Sequence, residues 1–344
     1  MTTTKVIIRG IGKAGRLFLK HSLDVDDVYV DAIADDAAYE DIDNLAYLLK
    51  YDTVHGVSNH QISASKDERA IIANGRGIPV IRYNDIPASS ATGVSIIVDF
   101  TGNLSYATAQ DLANAGYIVI ANNIFDEKDI PHIPVITTAN MSLITSTQYN
   151  IISTNPDIES VAQVVQQIHN RFGISSAMLT FIKSATSAMS VDDTFVASGT
   201  YDAGRGCFEN MIVTANSASK QLGKVIPELD GWITGNTIRV PSISGFIAQI
   251  DATLITPIDQ KNAAEIINDL IKGSSSRTLA YYTDPISPTD TRSLFAPAFI
   301  SSKTMSMIDH NAGSSIIRAY VFYHPENVSV EISTEIIRTI ASLQ

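Results

Sequence analysis

Sulfur nucleophiles are nearly missing from this chain: 344 residues carry one cysteine, Cys207. A single thiol closes no internal disulfide, so stability must come from packed cores. The seven histidines are scattered without the spacing that metal ligation needs, and no metal site is expected. Positive charge is scarce too, with 24 lysines and arginines against 36 acidic residues and a net charge of −12. That balance argues against nucleic acid or an anionic membrane surface as a partner. Apolar runs stop well short of the ~20 residues a membrane-crossing helix needs. The opening Met1-Thr2-Thr3-Thr4-Lys5 lacks the apolar stretch of a secretory leader, so the expected address is cytoplasmic. No internal repeat or low-complexity tract is present.

What is present is organised for two domains. The chain is longer than one core usually holds, and 45% hydrophobic content supports substantial burial. An apolar strand, Lys5-Val6-Ile7-Ile8, runs into Gly10-Ile11-Gly12-Lys13-Ala14-Gly15 and then a helix. In a dinucleotide site Gly10 permits the tight turn, Gly12 lets the backbone approach a pyrophosphate, and Gly15 lets helix pack on strand. The helix start, at Lys13 and Ala14, offers free N–H groups to the phosphates. Asp35 follows Gly15 by twenty residues, at the end of a second strand around Val28–Ile33. Its carboxylate would accept ribose hydroxyls and repel a 2′-phosphate, favouring NAD over NADP.

Strands and helices alternate up to about residue 150, through Val94–Asp99, a helix near Tyr106–Ala115 and Tyr117–Ile120. This implies a doubly wound, mainly parallel sheet. Asn155 is then a good N-cap, Pro156 suits the first helical position, and Asp157 and Glu159 complement the dipole. Val161, Val164, Val165 and Ile168 form one apolar face, and Gly173 closes the helix. Beyond it, Ala248, Ile250, Ala252 and Leu254 alternate with polar residues as in an antiparallel strand. A further helix is predicted over Ala263–Ile271, a strand over Ile316–Phe322 and a last helix near Asn327–Leu343. The second half therefore reads as an α+β domain on a largely antiparallel sheet, with Asp192–Cys207 as a long loop.

Several runs occur in the order found in one family. They are the glycine fingerprint, Lys50-Tyr51-Asp52-Thr53-Val54-His55-Gly56, Thr101-Gly102 and Ser153-Thr154-Asn155. Then come Gly204-Arg205-Gly206, Gly223-Lys224-Val225-Ile226-Pro227-Glu228-Leu229, Arg239-Val240-Pro241 and Tyr282-Thr283-Asp284-Pro285. On these residues the chain resembles the glyceraldehyde-3-phosphate dehydrogenase family over nearly its full length. The resemblance implies an α/β fold: an NAD-binding Rossmann domain from residues 1–152 plus 323–344, and a catalytic-type domain at 153–322. It also implies an extended S-shaped loop, a homotetramer, and NAD held by Gly10, Gly12, Lys13, Ala14, Gly15, Asp35, Thr101 and Gly102.

The chemistry departs from the family's pattern. The family attacks an aldehyde with a cysteine at a helix N-terminus, activated by a histidine on a neighbouring strand, and resolves the acyl-thioester with phosphate. By resemblance Ser153 stands at the cysteine position and Lys183 at the histidine position. A thiol near pKa ~8.5 ionises readily beside a helix N-terminus and a cation, whereas a serine hydroxyl needs a base as it attacks. Among substrate-side positions, Thr154, Thr186 and Arg239 match, while Asn216-Ser217 replaces a Thr-Gly pair and Ala188 a threonine. Arg9 replaces the fingerprint's usual asparagine, and Phe322 falls near the asparagine that fixes the nicotinamide amide.

Two readings stand at this point. One is a paralogue that keeps the fold, NAD and an oligomer (with itself or with an active relative), binds a small phosphorylated metabolite, and has lost the phosphorylating chemistry. The other is a changed enzyme, an oxidoreductase or a Ser153/Lys183-dependent catalyst acting on a phosphorylated aldehyde or acyl compound.

Overall fold

The computed structural model describes residues 3–125, 133–145, 149–186, 189–196, 201–258, 269, 279–282, 284–293, 298–301, 306–310 and 314–343. The chain divides into two compact units, Met1–Asn155 with Ser329–Gln344, and Pro156–Val328.

The first unit begins with β1 (Thr4–Arg9), α1 (Lys13–Asp24), β2 (Val28–Ala34), α2 (Asp36–Glu40) and α3 (Ile42–Lys50). A short ladder, β3 (Tyr51–Asp52) with β4 (Gly56–Val57), leads to β5 (Ile62–Ser65), β6 (Ala70–Ala73) and β7 (Arg76–Ile81). After α4 (Ser89–Thr92) come β8 (Ile96–Asp99), α5 (Tyr106–Asn114), β9 (Ile118–Ala121) and β10 (Ile151–Ser153). One eight-stranded sheet results, in the order β10-β9-β8-β1-β2-β7-β6-β5. The pairings from β10 through β7 are parallel, and β5 and β6 add an antiparallel edge. The strand order reverses between β1 and β8, which makes the carboxyl ends there the expected ligand crevice. Val6, Ile8, Ile33, Ile96 and Val98 are buried in one core layer with Val330, Ile332, Ile336 and Ile340 of the final helix, Pro325–Ser342. That helix is tied in further by Asn122 Nδ2 donating to Ser333 Oγ (3.1 Å) and Arg338 Nε pairing with Asp27 (2.5 Å). The dinucleotide-type domain thus recruits its last helix from the chain's end.

The second unit opens with α6 (Pro156–Phe172), which runs as its sequence signals specify and stops at Gly173, in left-handed backbone at φ +67°. Next are β11 (Ile174–Ser184), β12 (Ile212–Ala215), α7 (Ser217–Val225), β13 (Ile233–Val240) and β14 (Phe246–Leu254). β15 (Leu279–Tyr282), β16 (Ala298–Ser301), β17 (Ser306–His310) and β18 (Ser314–Tyr323) complete it. The path β12-β13-β11-β14-β18-β16-β15 carries β17 on β18, and only β11–β13 and β15–β16 pair in parallel. β14 alternates buried and half-buried positions along its whole length, the two-faced strand read from Ala248–Leu254. The helix expected over Ala263–Ile271 and the positions Ala188 and Thr283 lie outside the described residues, except Asp269, which is helical.

The Lys-Tyr-Asp run has a clear local function. Asp52 Oδ1 accepts the N–H groups of Val54 and His55, both at 2.9 Å, closing the turn between β3 and β4. Its Oδ2 pairs with Arg16 on α1 at 3.3 Å. Burial works against the Asp52 charge but is outweighed by those N–H groups and by the charges of His55 and Arg16, so its pKa is lowered. A carboxyl depressed in the fold stabilises above its unfolded pKa and loses that contribution as pH falls. Asp52→Asn is expected to cost about 1–2 kcal/mol at pH 7. The gap to wild type should close below about pH 4 in urea titrations. A gap that persisted at low pH would assign the effect to shape rather than charge.

Candidate functional site

In the first unit the fingerprint residues gather at the carboxyl ends of β1, β2 and β8. Gly10 has φ +88°, and a Cβ there would lie 2.7 Å from Thr101 Cγ2, so only glycine fits the turn. A Cβ on Gly15 would sit 2.2 Å from Gly10 O, where α1 presses on the strand end. Gly12 differs, because a Cβ there would meet nothing within 4 Å. It precedes α1, and no side chain caps that helix. The N–H groups at Lys13 and Ala14 therefore remain available to an anion beside open space, the arrangement a pyrophosphate needs.

Asp35, directly after β2, accepts from Ile11 N at 3.1 Å, Ala38 N at 3.0 Å and Tyr83 Oη at 3.2 Å. It both caps α2 and faces the fingerprint turn. Asp99 ends β8, fully buried, and accepts the backbone N–H (3.1 Å) and hydroxyl (2.8 Å) of Thr101. Gly102 follows with φ +71°. Arg9 places Nη1 2.5 Å from Asp99 Oδ2 and lies 4.3 Å over the Tyr83 ring. Burial pushes the Asp99 carboxyl above its usual pKa, with the Arg9 and Thr101 hydrogen bonds opposing that rise. The arginine that departs from the fingerprint is thus the counter-ion of a buried carboxylate. Sequence reasoning noted Arg9 but missed Asp99 and Tyr83, because pairs 90 and 48 residues apart leave no local signal.

The residues that the resemblance assigns to chemistry lie just before the start of α6 and on β11. Ser153 is the last residue of β10, three positions before α6, outside the helix as the Asn155-Pro156 start implies. Its buried hydroxyl donates to Asn123 O at 2.6 Å. Pairing of residues 151–153 with β9 keeps the chain extended through Ser153, and Pro156 opens α6 at its first helical position. Thr154 is fully buried, its N–H donates to Ala121 O at 2.9 Å, and its hydroxyl has no partner among the described residues.

In the second unit the first turn of α6 presents Asp157, and it is this carboxylate that pairs with Lys183 Nζ. Both side chains are about nine-tenths buried. Tyr323 Oη, at the end of β18, donates to Asp157 Oδ1 at 2.7 Å. Register explains the assembly. Lys183 on β11 faces Arg239 on β13 in parallel pairing, and Phe246 on β14 faces Tyr323 on β18. The ammonium also lies 5.4 Å from the Phe181 ring and 5.7 Å from the Phe246 ring. Burial lifts the fully buried Tyr323 phenol well above its usual pKa, and the neighbouring Asp157 charge adds to this. Arg239 Nη1 donates to Ser184 O at 3.0 Å. Burial lowers the pKa of its guanidinium, against the attraction of Asp157.

The other substrate-side positions divide. Thr186 follows β11, half-buried. Asn216 caps α7 through Ser219 N (3.1 Å) and donates to Thr237 Oγ1 (2.7 Å), so its amide is engaged in local structure. Phe322 is buried in β18 opposite Ile247 and Phe299, with no group to hydrogen-bond an amide. Cys207 is buried, and no hydrogen bond joins it to Lys183 among the described residues.

A doubly wound sheet with a glycine fingerprint at its switch point, joined to a largely antiparallel α+β unit, defines the class of dinucleotide-dependent dehydrogenase folds. Residues 4–107 match the family model for the glyceraldehyde 3-phosphate dehydrogenase NAD binding domain, and residues 157–323 match the model for that enzyme's C-terminal domain. The chain is similar to glyceraldehyde-3-phosphate dehydrogenase 1 of Bacillus cereus, at 29% identity over 90% of this chain and 91% of the relative. It is also similar to the cytosolic glyceraldehyde-3-phosphate dehydrogenase of Craterostigma plantagineum, at 27% identity over 93% and 92%. The glyceraldehyde-3-phosphate dehydrogenase of Lactobacillus delbrueckii subsp. bulgaricus matches at 27% over 94% and 95%. The chain belongs to the glyceraldehyde-3-phosphate dehydrogenase family, and its cofactor is NAD. NAD supplies a hydride acceptor. The free N–H groups after Gly12 would hold its pyrophosphate and Asp35 its adenosine ribose, beside Thr101 and Gly102.

Proposed function

We propose that this protein is an NAD-binding member of the family that has lost phosphorylating dehydrogenase chemistry and serves a binding, regulatory or structural role. The observation that carries this reading is the buried Asp157–Lys183 pair closed by Tyr323. The family's reaction needs a polarisable nucleophile and a group that can exchange a proton with it. Here a carboxylate and an ammonium satisfy each other, and the Ser153 hydroxyl is engaged by a backbone carbonyl. The same contacts weigh against a Ser153/Lys183 dyad or an imine at Lys183. An ammonium held on a carboxylate has no lone pair to take a serine proton or attack an aldehyde.

Arg239 and Thr186 support the binding of a small phosphorylated metabolite. Val191, Phe195, Tyr201, Met211 and Val213 are exposed apolar side chains in or near the S-loop, and they support assembly into a tetramer with itself or an active paralogue. No helix among the described residues is long and apolar enough to cross a membrane; a cytoplasmic address completes the proposal.

Two measurements on one sample test the reading. NAD titration should saturate. NADH absorbance with glyceraldehyde 3-phosphate and inorganic phosphate should show turnover lower than in active relatives by a factor of about 10⁴ or more, the scale of losing a nucleophile. Turnover within tenfold of an active relative would end the proposal.

A further inference from the structure

The cofactor site contains a tyrosine that the fingerprint does not call for. An ionised carboxylate offers about four lone-pair directions, two on each oxygen. Asp35 Oδ2 already accepts from Ile11 N at 3.1 Å and from Tyr83 Oη at 3.2 Å, and Oδ1 accepts from Ala38 N at 3.0 Å. A single acceptor direction remains, on Oδ1.

Tyr83 is held at both ends. Its backbone N–H donates to Asp36 Oδ1 at 2.9 Å. Its ring lies under the Arg9 guanidinium at 4.3 Å, and that guanidinium is anchored on the buried Asp99 carboxylate. Burial, and next the Asp35 charge, raise the phenol's pKa, so it stays a hydrogen-bond donor throughout the neutral range. A cation over the ring and a buried counter-ion behind it make displacement of Tyr83 by a ribose hydroxyl costly.

We propose that Tyr83 is a positioning residue that limits Asp35 to one hydroxyl of the adenosine ribose, so that NAD is held there by one charge-assisted hydrogen bond instead of two. Rejection of a 2′-phosphate still follows from the Asp35 charge and does not depend on Tyr83. The consequence is a weakened adenosine anchor, set by residues outside the Gly-x-Gly-x-x-Gly run.

The inference rests on the NAD assignment and is tested by calorimetric titration of the full chain. The probes are NAD and its analogues lacking the 2′- or the 3′-hydroxyl of the adenosine ribose. In wild type, removal of one hydroxyl is expected to weaken binding about tenfold, the low end for a hydrogen bond to a charged group, and removal of the other by less than about twofold. Tyr83→Phe keeps the ring under Arg9 and frees the second Oδ2 direction. It should bind NAD about three- to tenfold more tightly and become sensitive to both deletions. Equal sensitivity of wild type to the two deletions overturns the proposal without requiring any variant to fold. So does a Tyr83→Phe variant with unchanged or weaker NAD binding. Absence of any saturable NAD binding by wild type would overturn the cofactor assignment itself, a distinct outcome.

Discussion

Replacing Lys183 by methionine should destabilise the protein by about 3–5 kcal/mol, the range observed when one partner of a buried ion pair is removed. Asp157 would keep the Tyr323 hydrogen bond at 2.7 Å but lose the cation that compensates its burial. The cost comes from the stranded carboxylate rather than from the pair's net worth. The double variant Asp157→Leu with Lys183→Met should therefore recover the larger part of the loss, since apolar replacements of a whole buried pair are often neutral. Arg205→Met provides the contrast. Its pair with Asp193, at 3.0 Å, is solvent-exposed on both sides, and its loss should move the urea midpoint little. Chemical unfolding of the four proteins checks the set. If Lys183→Met cost less than about 1 kcal/mol, the pair would not be buried as the structure shows.

Much of the architecture was readable from local chemistry. The fingerprint, the strand ending at Asp35 and the Asn155-Pro156 start with Gly173 stop all depend on spacing within one or two turns, and each appears where spacing puts it. The strand from Ala248 to Leu254 was legible because one of its faces is buried at every second residue. The charged centre was not. Ser153-Thr154-Asn155 matches the family by residue type, and the structure has Ser153 at a strand end. Asn155 as N-cap already placed Ser153 outside the helix, and α6 begins at Pro156 accordingly. Asp157 was recognisable as an acidic first-turn residue, but its partner lies 26 residues away on a strand whose register only tertiary pairing sets. The Arg9–Asp99 and Tyr83–Asp35 contacts are hidden for the same reason.

The different surroundings of positions 153 and 157 lead to the second large expected effect. A thiol introduced at Asp157 together with Lys183→His should be acidic and reactive, and one introduced at Ser153 with Lys183→His should not. Position 157 lies in the first turn of a 17-residue helix, with the side chain of residue 183 in contact and Arg239 one strand beyond. Helix N-terminus and neighbouring cation both stabilise a thiolate, and comparable sites bring the thiol from ~8.5 into the range of about 3.5–7.5. Position 153 ends a strand, buried, with Asn123 O as its hydrogen-bond partner. A carbonyl there favours the protonated thiol, and burial opposes the charged form, so ionisation should stay at or above ~8.5. In a Cys207→Ser background each variant carries one thiol, and its iodoacetamide alkylation rate against pH reads the ionisation directly. At pH 6 the position-157 thiol should react at least about tenfold faster than the position-153 thiol. Recovery of acyl-enzyme chemistry, if any substrate is accepted, should follow the same order. The reverse order would show that the strand end at position 153 activates a thiol better than the first turn of α6, against the geometry of the two positions.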